Sequence, residues 1–460
     1  MRPLSHRAWM LASLCLVLGP SYAADPAAAL SPGIDRYLAP YVQGRNFSGV
    51  VLVAKGGTPL FQKAYGYAVV SADAPNTPAT KFHIASMSMQ FTAAAVMRLV
   101  ERGKFQLDTT VDKIIPDFPH GNEITVRELL TETSGLPDIN NLPDYSEILL
   151  HPQTPASLVQ KISGEPLLFT PGSQYQHEEH SAYNLLALIV EKTTGLDFAS
   201  ALQQEVFAPL GMRDCGADDS AGAIIAHLAE GYAPEGVRGL SRAPYIDWSA
   251  KAGNASVYCT AADEARWVDG FIHDRLLSRQ SRETMLAESK AHLGYGWFVS
   301  TSKRFGVPVY YMNGRSPGYA SYLLYVPDAD LTVVVLSNIY ASVTTQIGSD
   351  LAALALGKPY EAPLSPISLD ADALKHMEGK FLFGPDFYRP NGVLSVQVNG
   401  GDVFLDWGGG QMSGLIPVGK DRFIDRSYWE DVTFVRTADG RIVQLDYDRF
   451  HGKRTDDPKP

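Results

Sequence analysis

The sequence predicts an α+β domain followed by a small all-β domain. Three observations carry this. Strand-like segments stand at both ends of the first 357 residues with helix-rich sequence between them. A segment with Pro359, Pro363 and Pro366 then interrupts the pattern. Beyond it, only short strands and turns follow.

In chain order, Gly49–Ala54 and Leu60–Tyr67 are β-rich and flank Lys55-Gly56-Gly57-Thr58-Pro59, a hairpin signal. Thr92–Arg102 places Ala95, Val96, Leu99 and Val100 at helical spacing, and Gly103 ends the run. Leu185–Lys192 is a second apolar helical stretch, stopped near Gly195. Strand character returns at Gly294–Ser300, Val309–Met312, Ala320–Val326 and Leu331–Ser337, and Thr344–Leu356 closes the region as a helix. The sheet is therefore expected to join early and late segments. Residues 358–368 read as a linker. Residues 369–460 read as a small barrel or curved sheet, with turns at Asn399-Gly400-Gly401-Asp402, Gly408-Gly409-Gly410 and Ala438-Asp439-Gly440.

Residues 1–23 read as an export signal. Arg2 and Arg7 precede the apolar run Ala8–Leu18, and Ser21-Tyr22-Ala23 has the small-x-small form of a cleavage site. The expected location is periplasmic or secreted. No later run of about 20 apolar residues suggests a stable membrane insertion. The chain is acidic, with a formal net charge of −11, and has no basic cluster, which argues against nucleic acid as a partner. Only Cys215 and Cys259 remain after the signal. Export permits a disulfide between them, but their spacing does not decide between a bridge and two thiols.

Six segments, taken together and in order, resemble the serine β-lactamase-related family, which includes penicillin-binding proteins and related esterases. They are Phe82–Ser86, Ile124–Pro137, Phe169–Gly172, Tyr183–Leu186, Ala261–Trp267 and Ser316–Tyr319. The resemblance spans residues 30–357. It implies an antiparallel sheet flanked by helices, an all-helical lobe, and a serine nucleophile at Ser86. The C-terminal segment is similar to the lipocalin-like domain often appended to such proteins.

The resemblance also implies three elements that this sequence rewrites. The family's Ser-x-x-Lys is Ser86-Met87-Ser88-Met89, so a thioether stands where a lysine would take the serine's proton. The family's Lys- or His-x-Gly strand is Met312-Asn313-Gly314, which keeps only the glycine. The family's Tyr-x-Asn falls within His177-Glu178-Glu179-His180. Counting from Pro171 puts its two positions on His177 and Glu179, whereas counting back from Leu185 puts them on Glu178 and His180.

Ser86 is thus a candidate nucleophile, although a serine opening a helix also serves as an N-cap. His177, Glu178, Glu179 and His180 are candidate acid–base groups, because His and Glu are the usual proton carriers. The bland alternative is a polar surface loop. Met89, Met312, Asn313 and Gly314 are expected to line the substrate site, and the two methionines suggest a small, fairly apolar substrate. No cofactor is expected. No metal is expected either: His177 and His180 would need partners such as His83 or Glu132. The leading reading is an exported enzyme with altered acid–base chemistry, acting by hydrolysis or acyl transfer, or by cyclisation, isomerisation or elimination. The rivals are a non-catalytic binding protein for a peptidoglycan fragment or metabolite, and a conventional serine hydrolase.

Overall fold

The computed structural model describes residues 26–176, 180–219 and 222–456. The export-signal segment lies outside the described residues. A six-stranded antiparallel sheet organises the first domain. Its strands are β1 (Gly49–Lys55), β2 (Thr58–Tyr65), β3 (Phe298–Thr301), β4 (Pro308–Ser316), β5 (Tyr319–Val326) and β6 (Leu331–Ser337). Their spatial order is β3-β4-β5-β6-β1-β2, so the N-terminal hairpin completes a sheet built mostly from late sequence. This is the early–late pairing that the strand pattern implied.

Both faces of the sheet are covered. In β1, Val51 and Val53 face one core and Val50, Leu52 and Ala54 face another, as period-two alternation requires. Helices α1 (Pro26–Gln43) and α4 (Thr344–Ala355) cover the first face through Ile34, Tyr37, Leu38, Ile347 and Leu351. Tyr37 Oη donates to Asp350 of α4 at 2.6 Å, tying these helices together. The second face meets the helical lobe, whose central members are α2 (Ser88–Glu101) and α3 (His180–Thr194).

Two elements differ from expectation. The strand expected from Gly294 begins only at Phe298, because Gly294 N bonds back to Trp297 O at 2.7 Å in a tight turn. Gly296 at that turn has φ +69° and lies so close to α2 that a Cβ would stand 2.9 Å from Gln90 Cα. Helix α2 begins at Ser88, four residues before its apolar periodicity becomes clear.

Residues 358–370 carry neither helix nor strand. The second domain is a closed barrel of eight antiparallel strands in sequential order. They are β7 (Gly379–Leu382), β8 (Val393–Asn399), β9 (Asp402–Asp406), β10 (Met412–Pro417), β11 (Arg422–Asp425), β12 (Glu430–Arg436), β13 (Ile442–Tyr447) and β14 (Phe450–Arg454). Phe381, Leu394, Leu405, Phe423, Phe434 and Leu445 fill its interior. Closure removes exposed strand edges.

The barrel grips the first domain at one hairpin, formed by Tyr232–Glu235 and Gly239–Arg242. Arg426 is fully buried there, and its Nη1 donates to Glu235 O at 3.1 Å and Gly236 O at 3.0 Å. Burial, with Arg45 nearby, pulls its pKa down to about 10. Val237 packs on Ile416 and Ile424, and a Cβ on Gly414 would meet the Gly236 carbonyl at 2.5 Å. Among the described residues, no helix is long and apolar enough to cross a membrane.

Candidate active site

Ser86 sits in the single 3-10 turn Ala85–Met87 that leads into α2. The short strand Phe82–His83 sets this turn by pairing with Val257–Cys259. Ile84 N continues the pairing to Val257 O at 3.0 Å. Ala85 has φ +51°, a left-handed conformation that costs a non-glycine residue about 1–2 kcal/mol. Neighbours hold it there. Ser321 Oγ donates to Ile84 O at 2.6 Å, and a Cβ on Gly314 would stand 2.2 Å from Ile84 O and 2.9 Å from Ser86 N. The glycine of β4 is therefore required by close approach to the serine turn. From Phe82 to Met97 every residue is buried except Ser86, which opens into a cleft of about 340 Å³. Ser88 is buried and accepts from Val257 N at 3.0 Å, a structural role.

Across the cleft stands His180, the first residue of α3. It is buried, and its Nδ1 lies 3.0 Å from Asp138 Oδ2. The carboxylate fixes the proton on Nδ1 and leaves Nε2 as a proton acceptor. Asp138 is itself anchored, accepting from Asn140 N at 2.9 Å as the cap of the Ile139–Asn141 turn. The Asn140 side-chain nitrogen rests 3.0 Å from His180 Nδ1. Ser181 locks the helix start to this loop, donating to Pro137 O at 2.7 Å and accepting from Ile139 N at 2.8 Å.

His177, Glu178 and Glu179 lie outside the described residues. Asn313 lines the cleft, and Gly314 shapes it from behind. Met89 and Met312 do not line it. Both are buried in the main core, 1% and 4% exposed, where a thioether packs among apolar neighbours without cost. Neither methionine therefore makes the cleft apolar. The wall is mixed, with Asn140, Lys251, Asn254, Arg315 and Ser316 beside Ala233, Pro244, Pro317 and Tyr340. Arg315 follows Gly314 directly, and its guanidinium lies 5.5 Å over the Tyr340 ring. Asn254 Oδ1 is buried without a hydrogen-bond partner among the described residues.

Sequence reasoning missed Asp138, Asn140, Lys251 and Arg315. Arg315 could have been found, since it adjoins the retained glycine on the strand edge. Lys251 carried one signal, a lone charge in the small-residue run Ser249–Ala255. Its ammonium donates to the Tyr145 hydroxyl. Burial, reinforced by the negative charge of Asp138, holds the Tyr145 phenol well above its ordinary range and therefore neutral.

The lobe also contains a disulfide between Cys215 and Cys259, settling what the spacing left open. Cys259 belongs to the strand that pairs with Phe82–His83, four residues from Ser86. Among the described residues, no three His, Cys, Asp or Glu side chains gather to hold a metal ion.

A helix-opening serine held between an antiparallel sheet edge and a helical lobe defines the penicillin-binding class of serine-hydrolase folds. The family model described as Beta-lactamase matches residues 34–357, and the chain belongs to that family. A penicillin-binding protein of Bacillus subtilis (strain 168) is 26% identical over 419 residues, 85% of this chain and 91% of its own length. Esterase EstB of Burkholderia gladioli is 34% identical over 215 residues, 43% of this chain and 54% of its own. The octameric penicillin-binding protein homologue from Pyrococcus abyssi shares the fold. It has a TM-score of 0.62 at 23% identity and covers 92% of this chain and 99% of that one.

Proposed function

We propose that the cleft hydrolyses an acyl bond, ester or amide, in a small substrate through a covalent intermediate on Ser86. One observation carries this reading: His180, backed by Asp138, lines the same cleft as a serine held on a strained turn. His180 Nε2 takes the Oγ proton as the bond from Oγ to the carbonyl carbon forms. It returns that proton to the leaving oxygen or nitrogen as the scissile bond breaks. Water then attacks the acyl-serine by the same proton route and releases the acid and free Ser86. The positive end of α2 favours the charge that builds on the acyl oxygen.

The esterase among the relatives supports the ester branch. Asn140, Asn254 and Arg315 on the cleft wall suit a substrate with hydrogen-bonding groups beside its acyl carbon. The signal-like residues 1–23 and the Cys215–Cys259 disulfide support a reaction outside the cytoplasm.

A fluorophosphonate serine probe tests the reading by intact-protein mass. The wild-type chain gains one adduct and Ser86→Ala gains none. His180→Ala is labelled about 100-fold more slowly. A wild-type chain that stays unlabelled overturns the reading and leaves a binding protein on this fold.

A further inference from the structure

We infer that Lys251 supplies the positive charge beside Ser86 that the serine's own helix lacks, an inference that rests on the covalent reading above. Helix α2 carries Met89 three residues after Ser86, and that side chain is sunk in the core. No cation on α2 serves the serine from that position. Lys251 reaches the cleft from a different segment, the end of the Trp248–Lys251 turn, which runs on into Ala252 and Gly253.

That turn is clamped between the two helices whose first turns bring in Ser86 and His180. Gly253 O accepts from Thr92 Oγ1 of α2 at 2.7 Å. Ala252 O accepts from Asn184 Nδ2 of α3 at 2.6 Å. The fit requires glycine: Gly253 has φ +87°, and a Cβ there would stand 2.1 Å from Tyr183 O. A backbone wedged this tightly fixes where the lysine begins. Its end is fixed too, by the Tyr145 hydroxyl and by the Tyr145 ring, whose centroid is 5.0 Å from Nζ. Lysine is seldom buried unless its charge is paired, and Lys251, whose ammonium donates to Tyr145, is only 8% exposed.

Among the described residues, the titratable and charged groups that share the cleft with this ammonium are His180, with Asp138 behind it, and Arg315, and Tyr145 accepts its hydrogen bond. In the attack step the proton goes to His180. Lys251 takes no proton. Its charge lowers the energy of the negative oxygen as Oγ gives up its hydrogen and as the acyl oxygen becomes anionic. It acts as a positioning and electrostatic group, in a place the family's sequence pattern does not mark.

The test follows probe labelling of Ser86 from pH 5 to 9 in the full-length chain. In that reaction the Oγ–phosphorus bond forms, fluoride leaves, and the proton passes to His180. Lys251→Met should slow labelling about tenfold or more. It should also move the rising limb of the pH profile to higher pH, because removing a positive charge favours protonation in the cleft. Lys251→Arg should restore the limb and most of the rate. Tyr145→Phe, which removes the hydroxyl that accepts from the ammonium, should move the limb the same way, and it replaces Lys251→Met if that variant fails to fold. Wild-type rate and an unmoved limb in Lys251→Met, or an unmoved limb in Tyr145→Phe where it stands in, overturn the role of Lys251. The covalent reading then stands if Ser86→Ala and His180→Ala still lose labelling. An unlabelled wild-type chain overturns both.

Discussion

Asp138 stands directly behind His180, its Oδ2 3.0 Å from Nδ1, and both side chains are buried. The pair comes from two elements 42 residues apart, a capped loop turn and a helix start, locked together by Ser181. In Asp138→Asn the amide no longer requires the proton on Nδ1, and the imidazole loses its orienting charge. Labelling of Ser86 should slow by on the order of 10²–10⁴ with little change in melting temperature. A rate within twofold of wild type would show that Asp138 does not orient the base.

Gly314→Ala tests how tightly the strand edge holds the serine turn. The new Cβ would meet Ile84 O and Ser86 N, both backbone atoms with little room to move. The variant should lose about 1–3 kcal/mol of stability, read from chemical denaturation. Its labelling rate should fall even where it is fully folded. Wild-type values for both would mean that the turn yields at no cost.

Glu264 gives a stability prediction with a definite sign. It is fully buried in the helix Ala261–Ile272, and neither carboxyl oxygen has a hydrogen-bond partner among the described residues. Burial pushes its pKa well above the carboxylate range, and the charge of Asp263 adds to this. A raised folded pKa gives stability that is complete below the unfolded value, about 4.3, and is lost as pH rises toward the folded one. Glu264→Gln lacks that titration. Its stability should therefore gain on wild type by about 1.4 kcal/mol per pH unit across that window. Denaturation curves from pH 5 to pH 8 check this, and a gap that stays constant with pH contradicts it.

The disulfide closes a sequence separation of 44 residues. Reduction should cost about 2–5 kcal/mol. It should also loosen the strand that pairs with Phe82–His83, so labelling of Ser86 should slow. Melting curves with and without reductant decide the matter. Equal midpoints, with both thiols shown to be free, would make the bond dispensable.

The parts legible in the sequence are those written by local pattern. The hairpin of β1 and β2 could be read because apolar alternation meets Gly56 and Gly57, which adopt φ +54° and +71°. Helix α1 could not, since Pro32 and Pro40 argue against a helix when read alone. Packing overrides them: Ile34, Tyr37, Leu38 and Tyr41 form an i, i+3, i+4, i+7 stripe against the sheet. The same division holds at the site. Ser86 and His180 open helices, and helix starts leave sequence marks. Asp138 and Lys251 arrive from loops, where spacing encodes no direction. The methionines misled because a position in a motif names a place on the backbone, not the side to which a flexible thioether turns.

The hairpin seized by Arg426 does more than join two domains. Its stem contributes Ala233 to the cleft around Ser86, and its tip rests in the barrel. One wall of the cleft is thus braced by a buttress more than 180 residues further along the chain. Cutting at the proline-rich segment would strand Val237 in water and leave that wall unsupported. A library of candidate substrates screened against the first domain alone would be met by a different cleft from the one the whole chain presents.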